Sequence, residues 1–142
     1  MNYRACPNLV RLFLDQAARQ GDKPFIWAKR HNAWQAWSWK QAEAEMRRIA
    51  AGLAGLGIKP GDRVALVAEN RPEWVIADLA IMATGAIAVP AYVTNTVDDH
   101  RHILSNAGCA GAIVSTRELA ERVIDAARQT PGRSEEHTSE LQ

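Results

Sequence analysis

An excess of charge of either sign is missing from this sequence. The chain sets 17 Lys and Arg against 16 Asp and Glu over 142 residues, which leaves no basic footprint for nucleic acid and no cationic face for an anionic membrane. Cysteine is scarce. The two present, Cys6 and Cys109, follow neither a CxxC nor a zinc-finger spacing, so a reduced, cytoplasmic protein is expected, with a Cys6–Cys109 disulfide as the minor alternative. Long apolar runs are missing too. Arg11 and Asp15 interrupt the N-terminal stretch MNYRACPNLVRLFLDQ, which lacks the core of a signal peptide, and no later run reaches the length of a membrane span. Neither export nor a transmembrane helix is expected. There is also no Walker A loop, no Gly/Ser/Thr-rich phosphate loop and no GxSxG nucleophile elbow.

What is present is a substantial apolar fraction, 47%, enough for one domain with a core. Its organising stretch is GIKPGDRVALVAENRPEWVIADLAIMATGAIAVP, from Gly57 to Pro90. Arg63 to Ala68 has the length and Val/Leu content of a strand, and Gly61-Asp62 before it is turn chemistry. Asn70 and Glu73 are placed to form a helix cap, with Pro72 early, where its missing N–H costs nothing. Gly85 closes that helix, and Ala86 to Val89 is a second strand. Strand, capped helix and strand in this order predict a parallel βαβ unit with a right-handed crossover.

The flanks are legible by the same signals. Asn8 caps a helix carrying Leu9, Leu12, Phe13 and Ala17, and Gly21-Asp22 ends it. Pro24 to Lys29 and Trp34 to Trp37 predict a hairpin turning at Arg30 to Ala33. Trp27, Trp34, Trp37 and Trp39 lie in it or at its end, and burial against a helix is preferred there over stacking on a ligand base. Ser38 and Gln41 form a capping box for a helix carrying Ala42, Met46, Ile49, Ala50, Leu53 and Leu56. Its Gly52, Gly55 and Gly57 end a helix, whereas a dinucleotide loop opens one, so packing and a C-cap explain them. Downstream, Thr96 with Asp99 and Ser115 with Glu118 are further cap signals around a strand from Ala110 to Val114, and Gly108 ends the helix between. From Gly57 onward, strands and helices alternate, which predicts an open α/β fold with a mostly parallel sheet.

Few residues are candidates for chemistry. His100 and His102 behind Asp98 and Asp99 have metal-ligand types, but positions two apart on a helix diverge, and a solvated, acidic helix start accounts for them. Cys109, at the entry to the strand from Ala110 to Val114, reads as a small buried side chain. Asp78, the only polar residue between Trp74 and Ala83, reads as the outward edge of the central helix or an isolated acid or base. An otherwise dry circumference implies that this helix lies inside a larger domain and that residues 1–132 leave part of it exposed. The polar string RSEEHTSELQ, residues 133–142, resembles the in-frame translation of a widely used DNA sequencing adapter. It is set aside as non-natural and expected to be disordered.

Motif order now adds what spacing cannot. GIKPGDRVAL, ENRPEW, ADLAIMATGAIAVP and AYVTNTVDDHRHILSNAG, taken in sequence, resemble consecutive blocks of the N-terminal part of the adenylate-forming AMP-dependent synthetase and ligase superfamily. The resemblance runs from about Asn8 to Gly132. ENRPEW, the Trp-rich stretch PFIWAK with AWSW, and PAYVTNT look most like the long-chain fatty acid–CoA ligase branch.

That resemblance implies a parent enzyme using ATP and Mg²⁺ to turn a carboxylic acid into an acyl-adenylate, releasing pyrophosphate, and then passing the acyl group to coenzyme A. It also implies that residues 1–132 are an incomplete domain: an N-terminal portion of the large domain, with a helix and a β-hairpin preceding the βαβ units. The family's phosphate loop, adenine and ribose contacts, metal-binding Glu and C-terminal Lys have no matching positions here. The resemblance therefore assigns no catalytic, cofactor-binding or metal-binding residue, and it implies that the piece alone is inactive and binds none of these cofactors. Location would be cytoplasmic, with peripheral membrane contact left open. The alternative is a self-contained flavodoxin-like α/β binding or signalling module. Against a receiver of that kind, the first strand runs into Glu69 but the next two end in Pro90 and Ser115.

Overall fold

The computed structural model describes residues 7–130. Cys6, and with it the Cys6–Cys109 pairing, and the string 133–142 lie outside the described residues. Helix α1 (Leu9–Gln20) opens on Asn8, whose side chain accepts from the Arg11 amide, and closes on Gly21. Strands β1 (Pro24–Arg30) and β2 (Ala33–Ser38) form an antiparallel hairpin. His31 and Asn32 turn it with φ of 48° and 64°, a two-residue loop with both positions left-handed, the form whose twist matches the strands. Helix α2 (Trp39–Gly55) starts on the expected Ser38–Gln41 capping box.

The rest is β3 (Arg63–Val67), α3 (Pro72–Ala83), β4 (Ile87–Pro90), α4 (Val97–Ala107), β5 (Cys109–Val114) and α5 (Arg117–Arg128). The three strands form a parallel sheet in the order β4-β3-β5. From Val64 to Val67 central β3 is apolar and buried because both its faces are covered. Val64 and Leu66 pack with Leu53, Ala77, Ile81 and Ala86 on the α2/α3 side. Ala65 and Val67 pack with Leu104, Cys109, Leu119 and Val123 on the α4/α5 side.

Helix α3 is a middle layer. Ala77 and Ile81 face the sheet, while Ile76, Leu79 and Ala80 meet Phe13, Ala42 and Met46 of α1 and α2. Its all-round apolar sequence is thus satisfied largely from within this chain. Trp74, Val75, Asp78 and Met82 are only half-buried and Ala83 is exposed, as the dry circumference predicted.

Three local expectations need correction. Asn70 does not cap α3: the N-cap is Arg71, which makes no side-chain cap bond, and Pro72 stands at the first helical turn. Proline's preset φ fixes the helix start one residue later than Asn70 needs, so the Asn70 side chain is out of register for capping. In α5 the cap is Thr116, which accepts from the Leu119 amide. Ser115 instead hydrogen-bonds Glu69 across the sheet. The tryptophans also divide. Trp37 and Trp39 pack against the α1/α2/α3 core, whereas Trp27 and Trp34 are 54% and 67% exposed.

Candidate functional site

In an open parallel sheet the loops at the carboxyl ends of the strands are where ligands usually meet the fold, above all where successive connections leave toward opposite faces. Here the connection after β3 leads to α3 on one face, and those after β4 and β5 lead to α4 and α5 on the other. The carboxyl end of β3 is such a point. Its exit, residues 68–71, is tied down by two long-range contacts. The Ser115 amide donates to the Val67 carbonyl at 3.2 Å, and the Ser115 hydroxyl donates to the Glu69 carboxylate. That hydroxyl, the Glu69 backbone amide and nearby Arg71 hold Glu69 below the usual carboxylate range.

Beyond this exit lies a cleft of about 580 Å³ between β1 and the first turn of α3, lined by Trp27, Lys29, Trp34, Asn70, Arg71 and Trp74 among others. Glu73 stands at its rim. Arg71 donates to it through Nε at 2.9 Å, and Arg30 reaches it from the end of β1. Burial acts on the Glu73 carboxyl in the upward direction and is the largest single influence, but the Arg71 bond, its own backbone amide and Arg30 together lower it to about 2. The carboxylate is therefore ionised at any ordinary pH and shared by two guanidiniums. This trio bridges the hairpin to α3. It shapes the cleft and leaves it net positive, since Lys29 adds a cation.

A second, more apolar groove of about 310 Å³ lies between α1, β1 and α3, lined by Leu12, Phe13, Phe25, Trp39 and Asp78 among others. Phe13, Phe25 and Trp39 pack against one another in edge-on and tilted pairs with ring centroids 4.2–5.8 Å apart. Burial alone raises the Asp78 carboxyl. Asp78 is thus half-buried at the edge of an apolar groove, where sequence left it between an outward edge and an isolated acid.

The histidines are not brought together. Asp99 completes the Thr96 capping box of α4 by accepting from the Thr96 amide at 2.9 Å, Asp98 pairs with Arg101 at 3.0 Å, and His102 is exposed. His100 corrects the expectation of a solvated helix start: it is 2% exposed, and its Nε2 has no partner among the described residues. It turns inward because α4 needs a buried residue one turn ahead of Leu104, the other buried position of that helix. Among the described residues no group of three or more His, Cys, Asp or Glu could hold a metal ion, so no step through Mg²⁺ is assigned to them. Cys109 is buried, as expected.

The Arg30–Glu73–Arg71 bridge was missed in the sequence. Arg71 and Glu73 are neighbours there, but nothing local marks Arg30 as the third member.

The AMP-binding enzyme family matches residues 13–141. The chain belongs to that family. A long-chain-fatty-acid–CoA ligase of Mycobacterium tuberculosis, FadD15, is 34% identical to this AMP-binding chain over 91 residues, covering 64% of the chain and 15% of that ligase. The human mitochondrial acyl-coenzyme A synthetase ACSM5 is 32% identical over 120 residues, covering 83% of the chain and 21% of the synthetase. The AMP-binding chain thus spans about a fifth or less of these relatives' lengths. In structure it superposes on the anthranilate CoA ligase AuaEII, solved with anthranoyl-AMP, with a TM-score of 0.78 over 92% of the chain and 25% of that ligase. At 22% identity this shows the fold alone: an α/β assembly like the N-terminal part of adenylate-forming enzymes. Among the described residues no helix is long and apolar enough to cross a membrane.

Proposed function

We propose that the chain is the N-terminal portion of an ATP-dependent acid–thiol ligase. In this reading the parent enzyme uses Mg²⁺·ATP to form an acyl-adenylate from a carboxylic acid, then transfers the acyl group to coenzyme A, and its preferred acids are long-chain fatty acids. The observation that carries the reading is the family match together with the 34% identity to FadD15 over 91 residues. Adenylation makes chemical sense of such a parent, because a carboxylate is a poor electrophile until it gains a good leaving group. Strand order alone does not separate this reading from a flavodoxin-like module, since β4-β3-β5 is also the way a flavodoxin-like sheet begins. Family membership favours the ligase.

The described residues supply the scaffold of that reaction rather than its chemistry. The arginines at the cleft are engaged by Glu73, and the capping carboxylates are engaged by backbone amides. We propose accordingly that residues 1–132 alone neither adenylate an acid nor bind ATP or coenzyme A, and that residues 133–142 are not natural protein. That division rests on the adapter-like string, since the family match runs through residue 141.

Two measurements test the reading. The gene read beyond the codon for Gly132 is expected to encode a Ser/Thr/Gly-rich phosphate loop, and its absence would remove the ligase assignment. Pyrophosphate exchange into ATP is expected from the parent with palmitate and not from the 142-residue chain. Exchange by the chain itself would refute the inactivity, and a parent preferring benzoate-like acids over palmitate would refute the long-chain assignment.

A further inference from the structure

Val75, Asp78 and Leu79 share one side of α3, and Leu9, Leu12 and Gln16 share one side of α1; the apolar groove of about 310 Å³ lies between the two rows. Its walls and its one charge are mismatched. Among the described residues that line the groove only Asp78 is charged, and its carboxylate has neither a hydrogen-bond nor an ion-pair partner among the described residues. Glu73, on the first turn of the same helix, is also half-buried, yet Arg30 and Arg71 both hold it. No such cation meets Asp78. Burial therefore raises its carboxyl with no opposing influence to lower it.

The walls narrow the kind of ligand that could supply the missing charge. Phe25 and Trp39 are half-buried and border the groove, and aromatic rings attract an organic cation more than a neutral group of the same shape. Leu9 adds an aliphatic side chain that is 53% exposed. A hard metal ion fits poorly, because one carboxylate and the Gln16 amide are too few oxygen ligands for it. The volume is at the small end of the range for small-molecule pockets.

We infer that the groove between α1 and α3 binds a small organic cation, a primary ammonium on a short aryl or alkyl body, with the ammonium at the Asp78 carboxylate and the body against Leu12, Phe25, Trp39 and Val75. Charge complementarity sets the sign of the head. The apolar walls set the body. A neutral ligand would bury the carboxylate further without a partner, whereas an ammonium brings opposite charge and N–H donors to it. This inference does not depend on the ligase reading.

The test uses the ¹⁵N-labelled 142-residue chain at neutral pH and three ligands of similar shape: phenethylammonium, phenethyl alcohol and phenylacetate. Backbone amide shifts and the Trp39 indole N–H report binding. Phenethylammonium is expected to saturate with a dissociation constant of about 1–10 mM, in keeping with so small a ligand, and to move Leu12, Phe25, Val75 and Leu79. The alcohol should bind about tenfold more weakly, since it lacks both the ion pair and the cation–ring attraction, and phenylacetate more weakly still. Asp78→Asn keeps the side chain's shape and removes its charge, so the ammonium and the alcohol should then bind within about twofold of each other, with the amide spectrum confirming the fold. Equal affinity for ammonium and alcohol in the unmodified chain, or no saturable binding of the ammonium, would overturn the cation site without any variant. A preference that survives in Asp78→Asn would overturn Asp78 as the anchor. Shifts centred on Trp27 and Trp34 would put the ligand in the other cleft and overturn the groove. Groove amides that move with chain concentration and not with the ammonium would show a second copy as the occupant, and the small-ligand inference would fail.

Discussion

Arg63 and Gly108, 45 residues apart, meet at 2.8 Å where the Arg63 guanidinium donates to the Gly108 carbonyl, while its Nε donates to Ala107. One side chain from the start of the central strand thus caps the carboxyl end of α4, where unsatisfied carbonyls and the helix dipole both favour a cation. Gly108 serves the contact twice, since it ends the helix at φ 60° and its missing Cβ leaves room for the guanidinium. A Cβ there would stand 2.8 Å from Arg63 Nη2. Gly108→Ala should therefore cost about 1–2 kcal/mol from the left-handed backbone alone, and more if Arg63 is displaced. Gly108→Asn should recover part of the backbone cost, because Asn tolerates that conformation. Urea unfolding of the two variants checks both the size and the order.

Caps give a sharper comparison, because one expected cap exists and another does not. Thr96 accepts from the Asp99 amide at 3.3 Å while Asp99 reaches back to the Thr96 amide at 2.9 Å. Thr96→Ala should cost about 0.5–2 kcal/mol. Asn70 makes no cap to α3, so Asn70→Ala should stay within about 0.5 kcal/mol. Thermal melts of both variants decide the matter, and a large loss at Asn70 would show that the cap had been misplaced.

The same pair explains what sequence could and could not tell. Caps, glycine stops and the Val/Leu run of β3 are signals written within a few residues, and they placed the elements to within a residue or two. At Asn70 two local signals competed, and proline's fixed φ won over the side chain's capping preference. Ser115 failed for another reason: Thr116 could cap equally well, and the choice was made by Glu69, 46 residues away. The inward turn of His100 and the reach of Arg30 to Glu73 also depend on which elements become neighbours. The site proved the less legible part, since the cleft is bounded by β1 and α3 and exists only in the packed structure.

Glu73 makes a prediction about acid. Its carboxyl is lowered from the ordinary 4.5 to about 2 in the folded chain, so its ion pairs add stability above the unfolded value. That contribution is lost as pH falls from about 4.5 toward 2. The side chains of Glu73 and Arg30 are 36% and 39% exposed, so solvent screening keeps the contribution to about 0.2–1 kcal/mol. Glu73→Gln should lower stability at pH 6 by that amount and leave it nearly unchanged at pH 2. Denaturant melts at the two pH values should therefore differ between the chains only at the higher one.

His100 acts over a different window. Burial is the main influence lowering its pKa from 6.5, nearby Arg122 adds to the effect, and Asp99 opposes it. The unfolded chain then binds a proton between 6.5 and the lower folded value while the folded chain does not, so stability falls as pH drops through that interval and levels off below it. At neutral pH the buried Nε2, without a partner among the described residues, carries a desolvation cost of about 1–3 kcal/mol. His100→Leu removes both the orphaned nitrogen and the proton uptake. It should leave stability at pH 7.5 equal or higher and flatten the decline below pH 6.5. His100→Gln, which keeps a polar group in the buried site, should be less stable than His100→Leu at pH 7.5 and equally flat below it. A decline that persists in both variants would move the proton-sensitive group elsewhere.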